Sequence, residues 1–121
     1  MKIFKTLWQL PQVLLAYLVI LFSKSKYKED YSGIKIYETE KRFGISLGTM
    51  IILYSYYNEK TLKHEYGHTR QSLMLGPLYL IIVGLPSITM NIISRFNKKF
   101  AANYYNRWPE NWADELGKVE R

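Results

Sequence analysis

The chain is 121 residues long, about the size of one domain, and 48% of its residues are hydrophobic and 16% aromatic, which excludes an intrinsically disordered chain. The absence of cysteine excludes disulfides, thiolate metal sites and thiol nucleophiles, so His, Asp and Glu must supply any metal ligands. Seventeen Lys and Arg against ten Asp and Glu give a formal charge of +7, which favours an anionic partner such as lipid head groups, nucleic acid or acidic peptides.

Two long uncharged segments predict contact with a membrane. Residues 6–23 carry no charge over 18 positions, and residues 71–94 carry none over 24. Each is long enough to reach across most or all of a hydrocarbon layer of roughly 30 Å. Lysines flank the first segment and no signal-peptide cleavage pattern follows it, so we interpret it as an uncleaved apolar anchor helix. Pro11 and the modest length leave an amphipathic or core helix as the alternative.

A small β-hairpin is predicted over residues 34–57. Ile34, Ile36 and Tyr37 precede a charged turn and form the first strand. The uncharged residues 43–58 that follow are rich in β-branched and aromatic side chains, which are typical of a strand. The two stretches are therefore expected to pair with each other.

The rest of the chain is predicted to be helical. A helix is expected over residues 59–75, with Asn58 or Thr61 as its N-cap and Gly76-Pro77 as its stop signal. A second break over residues 84–87 divides the apolar residues 76–94 into two short arms, and residues 95–121 end in a short helix from about 109 to 118. The expected fold is a single, mostly helical α+β domain spanning residues 1–121.

The two histidines of the chain lie in one motif, His64-Glu65-Tyr66-Gly67-His68, on the predicted helix. At positions i and i+4 the imidazoles share one helical face and can bind one zinc ion together. The carboxylate of Glu65 is then placed to take a proton from a zinc-bound water, whose pKa the metal lowers. The motif predicts a catalytic zinc site, against the alternative of a helix with two surface histidines.

A further ligand must come from elsewhere, because two histidines fill only half of the zinc coordination sphere. Glu110 and Asp114 are also spaced i and i+4, so they share one face of the last predicted helix. One carboxylate can bind zinc while the other accepts a hydrogen bond from a ligand histidine, and the spacing does not decide between them. The alternative is an ordinary acidic helix start.

An HExxH motif followed by ExxxD on a second helix resembles the gluzincin zinc metallopeptidases. The small size is similar to minigluzincins and to the catalytic cores of integral-membrane peptidases of the CAAX-prenyl-endopeptidase type. The resemblance covers about residues 44–114. It implies that His64, His68 and Glu110 bind zinc, that Glu65 is the general base, and that Asp114 orients a ligand histidine.

The resemblance also implies a substrate-binding strand above the site and a group that stabilises the oxyanion. The strand, which would pair with an extended substrate, contains Ser46, Leu47, Gly48 and Thr49. No histidine lies downstream of the motif to act on the oxyanion. The candidates for that role are Tyr104, Tyr105 and Arg107, and the sequence does not choose among them.

Metal binding by both motifs requires that the residues before and after 71–94 lie on the same side of a bilayer. The segment is therefore expected to turn back at residues 84–87. Residues 24–70 carry nine Lys or Arg and residues 95–121 carry six, which favours the cytoplasmic side for the site. Next to two long apolar segments, the tyrosines and lysines are interpreted as an interfacial belt and a lipid-facing cluster, not as a nucleic-acid site.

These features together predict a membrane-associated zinc metallopeptidase that hydrolyses a peptide, or the tail of another membrane protein, near the bilayer surface. A non-catalytic membrane-bound interaction protein with a structural zinc site is the alternative from a different class. An anchor that binds acidic lipids without any metal is the third hypothesis. No oligomeric state is predicted.

Overall fold

The protein is built around a four-stranded sheet in a computed structural model that describes residues 2–121. The strands are Lys26–Tyr31 (β1), Ile34–Thr39 (β2), Gly44–Leu47 (β3) and Met50–Tyr54 (β4), in the order β1-β2-β4-β3. β1 with β2, and β3 with β4, are antiparallel pairs, whereas β2 and β4 are parallel. The predicted α+β class is confirmed.

The predicted hairpin over residues 34–57 is wrong, because its two stretches meet as the parallel pair β2 and β4. The uncharged stretch folds on itself instead, since Gly48 turns the chain between β3 and β4 with a φ of 66° that favours glycine. Strand β1 was not predicted, because its exposed sequence KYKEDY lacks an apolar alternation. The signal for it is the two-residue turn Ser32-Gly33, where both φ angles are positive, as in tight hairpins.

Helices cover both faces of the sheet. Helix α2 (Leu10–Ser23) packs on one face, where Val13 and Ala16 meet Leu47 of β3 in one apolar cluster. Helix α3 (Glu59–Leu75) packs on the opposite face, where Leu62 meets Ile51 of β4 in a second cluster. Strand residues alternate between the two clusters because successive side chains point to opposite faces. Helix α2 and the helix that carries both histidines therefore cover opposite faces of the sheet, and they meet where the Gln12 amide donates to the Ser72 hydroxyl over 3.1 Å.

The apolar helix predicted over residues 6–23 is two helices. Helix α1 (Lys2–Trp8) ends before Gln9, whose φ of −112° and ψ of 26° break the helical path, and α2 follows with Pro11 in its first turn. Proline is accepted there because it has no N–H to donate, and the first turn has no intrahelical acceptor for one. Between residues 2 and 121, no helix combines the length and the apolar character needed to cross a bilayer.

Helix α3 has the predicted bounds, and the side chain of Asn58 caps it by accepting a hydrogen bond of 2.9 Å from the Thr61 N–H. The helix ends at the predicted Gly76-Pro77 break, where Gly76 has a φ of 57° and a 3₁₀ turn, Gly76–Leu78, follows. The predicted turn at residues 84–87 is wrong: residues 79–96 are continuously helical, through a π-helical turn (Leu80–Gly84) and helix α4 (Leu85–Phe96).

The wider π turn accounts for this continuity, since it loosens the helix just ahead of Pro86, whose ring would otherwise meet the carbonyl of the preceding turn. The return of the chain is made later, by helix α5 (Lys98–Ala102), a 3₁₀ turn (Tyr104–Asn106) and helix α6 (Glu110–Gly117). Helix α6 packs along α3 and so completes the layer that holds the candidate site.

Candidate metal centre

The two histidines of α3 lie one above the other in the protein interior. Their side chains project from one face of the helix, and their ring centroids are 4.7 Å apart. His64 is 3% exposed and His68 4% exposed, which is far less than histidines on a solvated helix face. The alternative of two surface histidines is therefore wrong.

Two glycines allow α6 to approach α3 closely. A Cβ atom at Gly67 would lie 1.8 Å from the Ala113 carbonyl oxygen, and one at Gly117 would lie 1.9 Å from the Lys63 carbonyl oxygen. Neither distance is possible for a side chain, so the two backbones touch only because these residues are glycines. The contact brings the face of α6 that carries Glu110 and Asp114 against the face of α3 that carries the histidines.

Glu110 contacts both histidines with a single carboxylate oxygen. Its Oε1 is 2.8 Å from Nε2 of His64 and 2.9 Å from Nε2 of His68, and the side chain is fully buried. Burial raises the pKa of Glu110, but the hydrogen bonds from His64 and His68 lower it more, so the group is held as a carboxylate. Its second oxygen, Oε2, is buried without a hydrogen-bond partner in the described residues.

Each histidine is braced at its other ring nitrogen. Nδ1–H of His64 donates to Oδ1 of Asp114 over 2.7 Å, and Nδ1–H of His68 donates to Oε1 of Gln71 over 2.7 Å. Gln71 is itself held, because its amide donates to the Pro109 carbonyl over 3.0 Å. These bonds fix the orientation of both rings and direct both Nε2 atoms at one point, as partners of metal ligands do.

Asp114 is hydrogen bonded by Arg121 as well as by His64. Arg121 donates from its Nε to Oδ2 over 2.7 Å and from its terminal nitrogen to Oδ1 over 3.0 Å. Burial raises the pKa of Asp114, but the bonds from Arg121 and His64 lower it below its usual range. An ionised Asp114 stabilises the N–H of His64 that points to it.

Glu65 lies beside the histidines and is held differently from Glu110. One ligand atom each from His64, Glu65 and His68 lies within 4.8 Å of the others, so these three residues could hold a metal ion. Oε1 of Glu65 accepts a hydrogen bond of 2.7 Å from the Ser46 hydroxyl, whereas Glu110 touches both Nε2 atoms directly. Two imidazole nitrogens, a buried carboxylate oxygen without a partner and a second carboxylate nearby form a donor set that fits a zinc ion.

The predicted substrate-binding strand is only partly a strand. Ser46 and Leu47 belong to β3, which is an edge strand of the sheet, whereas Gly48 and Thr49 form the turn from β3 to β4. Tyr54 N–H donates to the Phe43 carbonyl over 3.0 Å, so the alternating pattern turns the backbone groups of Gly44 and Ser46 away from β4, towards the free edge.

The free edge of β3 lies next to Glu65 at its Gly44 end and is hydrogen bonded by another protein group at its Ser46 end. A Cβ atom at Gly44 would be 3.8 Å from Oε2 of Glu65, and Gly44 is exposed. The Ser46 carbonyl, by contrast, accepts a hydrogen bond of 3.3 Å from the Tyr79 hydroxyl. The exposed end of this strand edge is therefore the one next to Glu65.

The three oxyanion candidates are placed differently around the site. The ring of Tyr105 is 5.0 Å from that of His64, centroid to centroid, with the Arg121 guanidinium stacked on it. Tyr104 lies beside Ser87, and burial, followed by the negative charge of Glu110, raises its pKa. Arg107 instead stacks on the ring of Phe100, 4.4 Å from its centroid. The two tyrosines adjoin the histidines and Glu110, and Arg107 has its contact elsewhere.

Sequence reasoning missed the structural roles of four residues around the site: Gln71, Tyr79, Arg121 and Ser46. Ser46 was predicted to bind substrate, but its contact with Glu65 was not predicted. Gln71 had a local signal, since it stands three residues after His68 on the same helical face. Tyr79 had none: burial, together with the charges of Glu65 and Glu110, raises its pKa well above the usual value, and only the fold brings it there. Comparison with protein-family models, curated proteins and solved structures gives no match to this chain.

Proposed function

We propose that this chain is a zinc metallopeptidase that works at a membrane surface. His64 and His68 through Nε2, and Glu110 through its carboxylate, would hold the metal. Asp114 and Gln71 would keep the two rings in the tautomer that leaves Nε2 free to bind. The bound zinc would supply a water of lowered pKa and would polarise the carbonyl of a peptide bond.

The observation that carries the proposal is the position of Glu65. A structural zinc site needs its ligands only, yet here a second carboxylate lies within 4.8 Å of both histidines without hydrogen bonding to either. The Ser46 hydroxyl holds one of its oxygens, which leaves the other for a proton. Glu65 would accept the proton of the attacking water and deliver it to the amine that leaves.

The free end of β3 supports a peptide as the substrate. Pairing with the exposed backbone of Gly44 would lay an extended peptide past Glu65, by addition of a strand to the sheet edge. Main-chain hydrogen bonds supply the affinity of such pairing, so it suits a peptide or the tail of another membrane protein. The basic residues around the site favour its placement on the cytoplasmic side of the bilayer.

One observation favours a second candidate, a structural zinc site in a non-catalytic interaction protein. Both histidines and Glu110 are almost fully buried, as ligands are in zinc sites that only stabilise a fold. The two functions differ in what they require of Glu65, because a structural zinc site does not need its carboxylate.

The test compares Glu65→Gln with the wild type. Zinc is counted per chain by elemental mass spectrometry, and hydrolysis is followed on a library of fluorescence-quenched peptides. We expect about one zinc per chain in both proteins and a loss of hydrolysis of about 100-fold or more in the variant. His64→Ala should lose the zinc, and Glu110→Ala should hold it more weakly.

Glu59→Gln is the matched control, because Glu59 stands on the same helix with an exposed side chain and should change neither quantity. Full hydrolysis by Glu65→Gln would overturn the proposed mechanism. Zinc binding without any hydrolysis by the wild type would favour the structural site, and a folded wild type without zinc would overturn both.

A further inference from the structure

Two helical segments leave an apolar surface on the outside of the protein. Of the 24 exposed large hydrophobic side chains in the described part of the chain, 19 lie within residues 3–22 and 78–96. We call these 19 side chains the outer apolar surface. Proteins that work in water rarely expose a contiguous apolar patch larger than roughly a few hundred Å². A surface of this extent indicates an apolar partner.

Helix α2 carries apolar side chains on both of its sides. Its inner side packs Val13 and Ala16 into the core against the sheet, and it also buries the polar side chain of Gln12. Its outer side should then be polar if it faced water, yet Leu21 is 75% exposed and Phe22 is 78% exposed. Because the inner side is already packed on the sheet, only the outer side of α2 is available to a partner.

The helix over residues 79–96 is apolar on its outer side and mixed on its protein-facing side. The protein-facing side buries Val83, and it also carries Ser87, which lies beside Tyr104 and Glu110, and Ser94, whose hydroxyl is buried. The residues spaced three and four apart on its outer side are instead exposed and apolar: Ile81, Leu85, Ile88, Ile92 and Phe96. An amphipathic helix with its apolar side outwards is suited to an apolar phase, not to water.

The two segments adjoin each other in the fold. The Trp8 indole N–H donates to the Leu73 carbonyl over 2.7 Å, and its ring lies so close to Gly76 that a Cβ there would be 2.2 Å from it. Leu80 packs on the same apolar cluster as Val13 of α2. The segments over residues 3–22 and 78–96 are therefore neighbours in the fold.

The charges on the two segments and on the residues next to them in the chain have one sign only. Residues 1–28 and 66–109 contain no Asp or Glu. Lys24 and Lys26 follow the end of α2, and Arg95, Lys98 and Lys99 stand at the end of α4. This arrangement complements anionic lipid head groups, whereas a second copy of the chain would bring the same positive charges to the contact.

We propose that the outer apolar surface docks in the plane of a bilayer that contains anionic lipids. The outer sides of α2 and of residues 78–96 sit at the boundary between head groups and acyl chains, and the basic residues at the helix ends meet the lipid phosphates. The inference names the partner of the proposed membrane peptidase and rests on that function only for its biological setting.

The experiment uses Glu65→Gln protein, so that vesicle binding is measured apart from any hydrolysis. Sedimentation is compared with vesicles of phosphatidylcholine alone and with vesicles that also contain phosphatidylglycerol. We expect binding to the anionic vesicles and a loss of about tenfold or more in affinity for Phe22→Glu and Phe96→Glu. Tyr56→Glu is the matched control, because Tyr56 is 84% exposed but lies outside the surface, between β4 and α3, and should bind as before.

The role of charge is tested by replacing Lys24 and Lys26 with Gln. Each lysine that meets an anionic surface strengthens binding about fivefold, so the double variant should bind about 25-fold more weakly to the phosphatidylglycerol vesicles. The same change at Lys60, an exposed lysine of α3, should have no effect. Circular dichroism of every variant verifies that the fold is retained.

Failure of the folded protein to bind either kind of vesicle would overturn the proposal, as would unchanged binding by Phe22→Glu and Phe96→Glu. A dimer in the absence of lipid that these two substitutions dissociate, without vesicle binding, would show that a second copy covers the surface. Vesicle binding by Glu65→Gln, together with no peptide hydrolysis by the wild type, would contradict the peptidase function and leave the docking surface in place.

Discussion

The two faces of the sheet carry helices of different character. Helix α3 buries polar side chains, and His64, His68 and Gln71 each have a hydrogen-bond partner in the interior. Helix α2 buries the apolar Val13 and Ala16 as well as two polar side chains, and it exposes apolar side chains on its outer side. A buried polar side chain must find its particular partner, whereas an apolar side chain can be replaced by another of similar size. The face that carries the site should therefore be far less tolerant of substitution than the outer apolar surface.

The largest expected difference concerns two glycines, one in each region. Gly67→Ala would place a Cβ 1.8 Å from the Ala113 carbonyl, so α6 must move away from α3. We expect a loss of about 3 kcal/mol or more in the free energy of unfolding and the loss of zinc binding, because Glu110 moves with α6. Urea unfolding and zinc content measure the two effects.

Gly84→Ala is the counterpart in the helix that bears the outer apolar surface. Gly84 has helical angles, and the nearest atoms to an added Cβ would be 3.6 Å away, which is ordinary contact. We expect an unchanged zinc content and a gain of up to about 1 kcal/mol, from the higher helix propensity of alanine. A destabilisation equal to that of Gly67→Ala would remove the proposed contrast between the two regions.

The second largest effect is expected in the pH dependence of the free energy of unfolding, which should depend on the site and not on the outer apolar surface. In the metal-free protein, burial lowers the pKa of His68, but the hydrogen bond to Glu110 and the nearby charge of Glu65 raise it more, to about 9. The folded state then binds the proton more tightly than the unfolded state, whose histidine has a pKa of about 6.5. This contribution to stability is complete below about pH 6.5 and is lost as the pH rises through about 9, by at most about 3 kcal/mol.

Zinc binding should show the opposite trend, since the metal needs the unprotonated Nε2 atoms and competes with those protons. We expect chelator-treated protein to unfold more readily at pH 9 than at pH 6.5, and zinc affinity to rise over the same range. Phe22→Glu, on the outer apolar surface, should change neither the pH dependence of stability nor the pH dependence of zinc affinity. If stability depended on pH equally with and without zinc, binding at His68 would be contradicted.

The smallest of these effects is expected for Gln71→Ala. The substitution removes the acceptor for Nδ1–H of His68 and leaves the ligands themselves in place. Loss of such a partner typically weakens metal binding about 10-fold to 100-fold. Competition with a zinc-sensitive dye measures the change, and Lys60→Ala on the exposed side of α3 is the control. An unchanged affinity would show that the orientation of His68 does not depend on Gln71.

Local patterns predicted the helices of the site well. The bounds of α3, its cap at Asn58 and the shared face of His64 and His68 all depend on residues within one or two turns of each other. The same holds for Glu110 and Asp114, which α6 places on one side. The prediction failed where contacts are distant in sequence, because a parallel pair such as β2 with β4 is selected by packing on both faces and not by any adjacent turn.

The apolar residues 76–94 show both outcomes in one segment. The stop at Gly76 was readable, since a positive φ after a helix is typical of glycine. The second break was predicted at residues 84–87, but Pro86 is accepted in the first turn of α4, directly after a π-helical turn. A glycine with a proline close behind it can thus end a helix, as at Gly76-Pro77, or precede the first turn of one, as at Gly84 and Pro86.

The sequence by itself determined the class of the fold, the helix with the HExxH motif, the pairing of two acidic residues on a second helix and the two apolar segments. Each depends on composition or on spacings within a few turns. Only the tertiary structure decided that Glu110 touches both histidines across more than 40 residues, that Ser46 holds Glu65, and that the apolar sides of two helices face outwards. Local spacing fixes which side chains share a face, whereas the packing of the whole chain decides what that face meets.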